Sequence, residues 1–187
     1  MNKVQGGLIS MKGIYLGAYL AQHPGYDIVY QDINGMRDLP GDMACIDLSP
    51  YDYVIATPPC NWWSRANYRR NESNYALNTK YLLPLMIYML YWINKPFIVE
   101  NVRNDKLFKQ YHLFDLGLFV YRIGRHTYWS NICIPQLYFL KQHAITDVIN
   151  GKVRYLSSQN LSRSDRQGGK EVHEVIEIWL RFIHDKK

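Results

Sequence analysis

Two runs of β-branched and aromatic residues each stop at residues able to do chemistry. Tyr51–Ala56 runs into Thr57-Pro58-Pro59-Cys60, and Pro96–Glu100 runs into Asn101-Val102. Both runs read as strands. Between them, Ala76–Ile93 reads as a mostly apolar and therefore mostly buried helix, in which Pro84 marks a kink or the true beginning. Strands alternating with helices predict an α/β sheet. Ligands of such sheets bind just beyond the carboxyl ends of the strands, so a thiol and a carboxylate are expected at one crevice.

The flanking segments fit the same architecture. Lys3–Ser10 reads as a first strand and Ile14–Gln22 as a helix stopped by His23-Pro24-Gly25. Tyr26–Tyr30 reads as a second strand ending at Gln31-Asp32, with turn signals at Asn34-Gly35 and Pro40-Gly41-Asp42. Asn61–Tyr75 is a polar loop carrying Ser64, Arg65, Arg69 and Arg70. Leu118–Arg122 and His126–Ile132 read as strands around Gly124. Glu171–Asp185 is amphipathic, with Val172, Val175, Ile176, Ile178, Trp179, Phe182 and Ile183 on an apolar face that closes the fold. The expectation is one domain over residues 1–187, built on a single mostly parallel sheet flanked by helices.

A net charge of +6 favours polyanionic partners, and 16 tyrosines supply surfaces on which bases can stack or which simply fill core and surface. Three irregularly spaced cysteines, Cys45, Cys60 and Cys133, argue against a disulfide framework and against a zinc cluster, so no metal is expected. The N-terminus lacks a signal-peptide pattern. The most apolar stretch, Tyr81–Ile93, is shorter than the ~20 residues a membrane helix needs. A soluble, cytoplasmic chain is expected.

Two prolines stiffen the backbone before Cys60, which is therefore either an aimed nucleophile or a structural cysteine after a bend. Glu100 follows an apolar strand. Burial there raises the pKa of a carboxyl and makes it a hydrogen-bond donor near neutral pH; the alternative is a strand-end acid paired with Arg103. Arg125 is either a hairpin surface residue or a substrate contact. Ser64, Arg65, Arg69 and Arg70 form either a solvated loop or a phosphate-contacting loop that closes over substrate. Trp62 and Trp63 either fill space against the sheet or contact a base.

The ordered motifs resemble those of the DNA cytosine-5 methyltransferase family. Thr57-Pro58-Pro59-Cys60-Asn61 is similar to its Pro-Cys motif and Glu100-Asn101-Val102 to its Glu-Asn-Val motif. Gly124-Arg125-His126-Thr127-Tyr128-Trp129 is similar to its arginine motif in short phage-type members, with Thr127 where a second arginine is usual. The resemblance implies a Rossmann-like fold that binds S-adenosylmethionine and a flipped-out cytosine in DNA. It assigns Cys60 as nucleophile, Glu100 as acid and Arg125 as base contact. Its glycine-rich cofactor loop is matched by Leu8-Ile9-Ser10-Met11-Lys12-Gly13, where Ser10 and Lys12 replace glycines, so that Ser10, Lys12 and Gly13 would border the cofactor in a degenerate loop. Asp32, with Ile33, fits the ribose position; Asp42 fits the adenine side, with Asp47 as a rival; Pro58 lies on the cofactor side. The resemblance also implies little or no target-recognition domain and a phage or restriction-modification setting. A catalytically degenerate nucleic-acid-binding relative and an RNA cytosine-5 methyltransferase are the alternatives.

Overall fold

A computed structural model describes residues 11–185, apart from 19–21, 36, 66, 68, 139, 141–145, 150–151 and 156–157, with the backbone course alone over 146–170. The strand expected over Lys3–Ser10 and the cofactor contact expected at Ser10 lie outside the described residues.

Seven strands form the main sheet: β1 (Lys12–Leu16), β2 (Asp27–Asp32), β3 (Leu39–Pro40), β4 (Tyr53–Ala56), β5 (Phe97–Val102), β6 (Phe119–Ile123) and β7 (His126–Ser130). Their order is β3-β2-β1-β4-β5-β7-β6. The pairs from β3 to β5 are parallel, and β7 runs antiparallel to both of its neighbours. The order extends the doubly wound arrangement 3-2-1-4-5 with a hairpin at one edge. A separate antiparallel pair, β8 (Thr146–Ile149) and β9 (Lys152–Tyr155), follows.

The helix expected over Ile14–Gln22 is corrected by β1. Ile14-Tyr15-Leu16 is short enough to satisfy helical and strand periods alike. The decision is tertiary: between β2 and β4, both faces of this segment are buried and its backbone groups are paired on both sides.

Alternation along the strands sends side chains to two cores. Ile14, Leu16, Val54, Ala56, Phe97 and Val99 face the helices α1 (Asn74–Thr79), α2 (Leu82–Trp92) and α3 (Asp105–Gln110), together with Trp62 and Trp63. Tyr15, Tyr53, Ile55 and Ile98 face the long C-terminal helix α5 (Ser158–His184), and a four-residue turn, α4 (Pro135–Tyr138), adds Leu137. Residues 17–26 are too few for the usual crossover helix between parallel strands. α5 covers that face instead, burying Val175, Ile176, Trp179, Leu180 and Ile183.

The single helix expected over Ala76–Ile93 is two, broken at Lys80-Tyr81. Pro84 sits in the first turn of α2, where its missing N–H has no intrahelical partner to lose. Asn94 terminates the helix with φ 53°, the left-handed conformation asparagine tolerates. α2 is also less buried than its composition suggests. Leu83, Met86, Ile87 and Leu90 face the sheet, while Tyr81, Leu85, Tyr88 and Trp92 lie exposed along the outer face. Among the described residues no helix is long and apolar enough to cross a membrane.

Candidate active site

A cavity of about 850 Å³ opens at the carboxyl ends of β1, β2, β4 and β5. It brings together most of the residues singled out in the sequence: Asp32, Ile33, Asp42, Pro58, Cys60, Glu100 and Arg125. Its volume is that of a small-molecule site.

Buried amides hold the wall that carries Cys60. Asn101 donates from Nδ2 to the Pro58 carbonyl at 2.8 Å, and Asn104 donates from Nδ2 to the Trp63 carbonyl at 2.7 Å. The Thr57 hydroxyl donates to the Gly17 carbonyl at 3.0 Å. The Ser64 N–H then closes a turn onto the Cys60 carbonyl at 2.8 Å. The thiol is exposed at the end of this braced segment, not packed as a structural cysteine. Trp63 is fully buried against Phe108 and Tyr111, and Trp62 packs below the Lys80 ammonium. Both tryptophans therefore fill the core, and neither lines the cavity.

Glu100 is 9% exposed, which removes the reading of it as a solvated strand-end acid. Arg103 pairs instead with Asp105 at 3.3 Å. Burial pushes the Glu100 carboxyl up; His126 opposes the shift and Glu171 adds to it. Glu100 pairs across the sheet with Tyr128 of β7, and the β6–β7 hairpin turns at Gly124-Arg125 to bring Arg125 to the same cavity. Gly124 has φ 50°, and a Cβ there would run into the Glu171 carboxyl. Positive φ at the first central residue alone is the pattern of a II′ hairpin turn, which requires glycine there.

The other half of the cavity is a turn after β1 and acids after β2. Lys12 and Gly13 are corrected here. Both lie inside β1 at its amino end: Lys12 donates its N–H to Asp52, and a Cβ at Gly13 would enter the Tyr53 ring. Neither borders the cavity. The loop at the carboxyl end of β1 begins at Gly17, with φ 74° and no room for a Cβ, which would stand 2.6 Å from the Thr57 carbonyl oxygen. Gly17 donates its N–H to the Gln31 side chain at 3.0 Å, and Gln31 donates in turn to the Gly41 carbonyl. The apparent loss of a glycine at Lys12 therefore concerns a residue within the strand. Gly17 was hidden because its segment reads as helix; a glycine directly after a β-branched and aromatic run was the available signal.

Asp32 ends β2, is nearly buried, and accepts from the Asn34 N–H at 3.2 Å. Asp42 caps a short 3-10 turn, Met43–Cys45, through the Ala44 N–H at 3.0 Å, and borders the cavity. Asp47, its rival, is exposed and spends both oxygens on Ser49, whose two hydrogen bonds hold its carboxyl below the ordinary range; it does not line the cavity.

Beside this cavity a shallower one of about 670 Å³ shares Cys60 and is lined by Ser64, Asn67 and Arg69. Arg70 is directed elsewhere, donating from Nε to the Asn67 carbonyl and from Nη2 to the Ser64 carbonyl at 3.0 and 2.8 Å. It braces the loop on which Arg69 is displayed. Arg65 is exposed and lines neither cavity.

In chemical terms the site sets a thiol, a carboxylic acid held toward its protonated form and a guanidinium around one crevice, with two further acids where a hydroxylated ligand can bind. Searches among known proteins find no family model and no curated sequence that matches the chain.

Proposed function

We propose that the chain transfers a methyl group from S-adenosylmethionine to C5 of cytosine in DNA through a covalent cysteine adduct. One observation carries the reading: a single cavity at the carboxyl edge of the sheet joins Cys60, Glu100 and Arg125 to Gly17, Asp32 and Asp42. These come from the carboxyl-end regions of five strands, β1 to β5, and from one hairpin, and the order of their motifs is that of the family the sequence resembles.

The residues at the β1 and β2 ends fit the cofactor. Gly17, held at φ 74°, turns the backbone along the cavity wall at the end of β1, Asp32 ends β2 where a carboxylate suits a ribose, and Asp42 borders the same cavity. When bound, S-adenosylmethionine supplies an electrophilic methyl. The Cys60 thiolate attacks cytosine C6. As the C6–S bond forms, Glu100 gives its proton to the ring nitrogen and Arg125 holds the exocyclic oxygen, so charge pushed into the ring is met by two donors. The nucleophilic C5 would take the methyl as the methyl–sulfur bond of the cofactor breaks; a water would then take the C5 proton, the C6–S bond would break to release the Cys60 thiolate, and the proton on the ring nitrogen would return to Glu100. A cytosine in duplex must leave the stack, at about a few kcal/mol. Arg69 and Ser64, beside Cys60, are placed to recover part of that cost from phosphates.

Calorimetric titration with S-adenosylmethionine tests the cofactor half. Saturable binding is expected, weakened at least ~10-fold by Asp32→Ala, a loss of ~1.4 kcal/mol. Absence of saturable binding in the wild-type chain would leave only a nucleic-acid-binding relative.

A further inference from the structure

The methyl-transfer chemistry uses Glu100 but leaves unexplained what lies behind it. His126, 8% exposed, stands between two carboxylates: its Nδ1 is 2.8 Å from Glu171 Oε1 and its Nε2 3.7 Å from Glu100 Oε1. Glu171 comes from α5, more than 40 residues further along the chain, and occupies the space that only a glycine at position 124 leaves open.

We propose that His126 is the positioning residue of the Glu100 carboxyl, anchored by Glu171 through one ring nitrogen and presenting the other to Glu100. This rests on the cytosine reading for its consequence but not for its geometry. With Nδ1–H donated to Glu171, Nε2–H faces Glu100 in the imidazolium. When Glu100 passes its proton to the ring nitrogen, an O–H bond breaks, an N–H bond forms, and the carboxylate left behind lies beside a cation. The proton returns along the same path when the adduct breaks down. His126, which borders the same cavity, thus favours the carboxylate that proton transfer leaves on Glu100.

The surroundings bear on the charge. Glu100 from β5, Glu171 from α5, Arg125 from the hairpin, and the buried Tyr128 of β7 and Tyr15 of β1 face this cluster. Burial is the largest single influence on His126 and favours the neutral ring, but Glu100 and Glu171 together hold the imidazole above its ordinary range despite Arg125. The Tyr15 and Tyr128 hydroxyls are held neutral by burial and by the nearby acids.

The test is a carbon-13 titration of the side-chain carboxyls in full-length protein, with Glu100→Gln to assign the signal. His126→Asn keeps an amide near Nδ1 for Glu171 but removes the nitrogen facing Glu100. The Glu100 midpoint is expected to rise by about one pH unit as the cation is lost, with methyl transfer at least ~10-fold slower and S-adenosylmethionine affinity unchanged. Glu171→Gln, the second variant should His126→Asn not fold, is expected to lower the His126 midpoint and to shift the pH profile of transfer. An unmoved Glu100 midpoint in His126→Asn, or an unmoved His126 midpoint in Glu171→Gln, would overturn the proposal. A wild-type chain that binds DNA but transfers no methyl would instead overturn the cytosine reading, and the carboxyl titration would still decide His126.

Discussion

Cys60 is exposed at the end of a braced segment, whereas Glu100 is buried in the sheet, so substitutions at the two separate chemistry from folding in different ways. Cys60→Ser is expected to leave the thermal midpoint within about 2 °C of wild type, because surface changes usually stay within ±0.5 kcal/mol. Glu100→Gln is expected to slow transfer at least ~100-fold, the scale of positioned acid–base catalysis, while leaving DNA binding intact; an unchanged rate would refute the acid role. Its stability has a sign of its own. The folded carboxyl is held above its unfolded value, so its contribution is fully present below the ordinary carboxylate range and is lost as pH rises through the folded midpoint. Denaturation of Glu100→Gln between pH 4 and 8 should lack that decline. At this scale the thiol, the acid and the hairpin arginine were legible, because strand ends and turn glycines announce themselves locally. Asn104, Gln31 and His126 were not, because a buried amide or imidazole acquires its role only from what the fold sets opposite it.

The elements succeed or fail in the sequence according to how far neighbours decide them. β4 and β5 stand close to where their β-branched and aromatic runs, each bounded by proline, put them, and the β6–β7 hairpin stands where alternation around Gly124 puts it. β1 was misread as helix because its few apolar residues fit both periods until β2 and β4 close on it. The amphipathic end of α5 was legible, yet Leu180 is buried where Ile178 and Phe182 are only partly so. Trp179, fully buried, donates its indole N–H to the Ser130 hydroxyl at 3.1 Å. Trp179→Ala is therefore expected to cost ~3–5 kcal/mol in chemical denaturation. α5 is also tied to the loop before β2. His23, almost fully buried, lies 2.7 Å from Glu177 and stacks on His173 at 4.6 Å. The ligand atoms of the three residues lie within 4.8 Å of one another, and in this arrangement His23 Nδ1 faces Glu177 while His173 Nε2 lies 3.0 Å from the Gln22 carbonyl. Burial pulls the His23 imidazole below its ordinary value, against the pull of Glu177. The stability this confers is present above the unfolded value of ~6.5 and is lost as pH falls through the folded midpoint. Acidification from pH 7 to 5 should thus destabilise wild type more than His23→Gln; equal pH slopes would show that His23 does not titrate on unfolding.

In the whole molecule, one sheet covered on both faces leaves its carboxyl edge open, and that edge is where thiol, acid, guanidinium and the ligand-side acids converge. The apolar stripe of α5 announces a covering helix, but which face of the sheet it covers, and the short link between β1 and β2, are tertiary arrangements with no local signature. The general α/β plan was readable from alternating segments, but the sheet order and the antiparallel β7 were not. A net charge of +6 and the arginine-bearing loop beside Cys60 suit a polyanionic substrate. The measurement that bears most directly on this assembly is transfer of labelled methyl from S-adenosylmethionine to cytosine-containing duplex DNA, with RNA alongside and Cys60→Ser as control. Label at cytosine C5 of DNA with wild type and none with Cys60→Ser is the expected result. Label on neither polymer while DNA is bound, or equal label with Cys60→Ser, would contradict it.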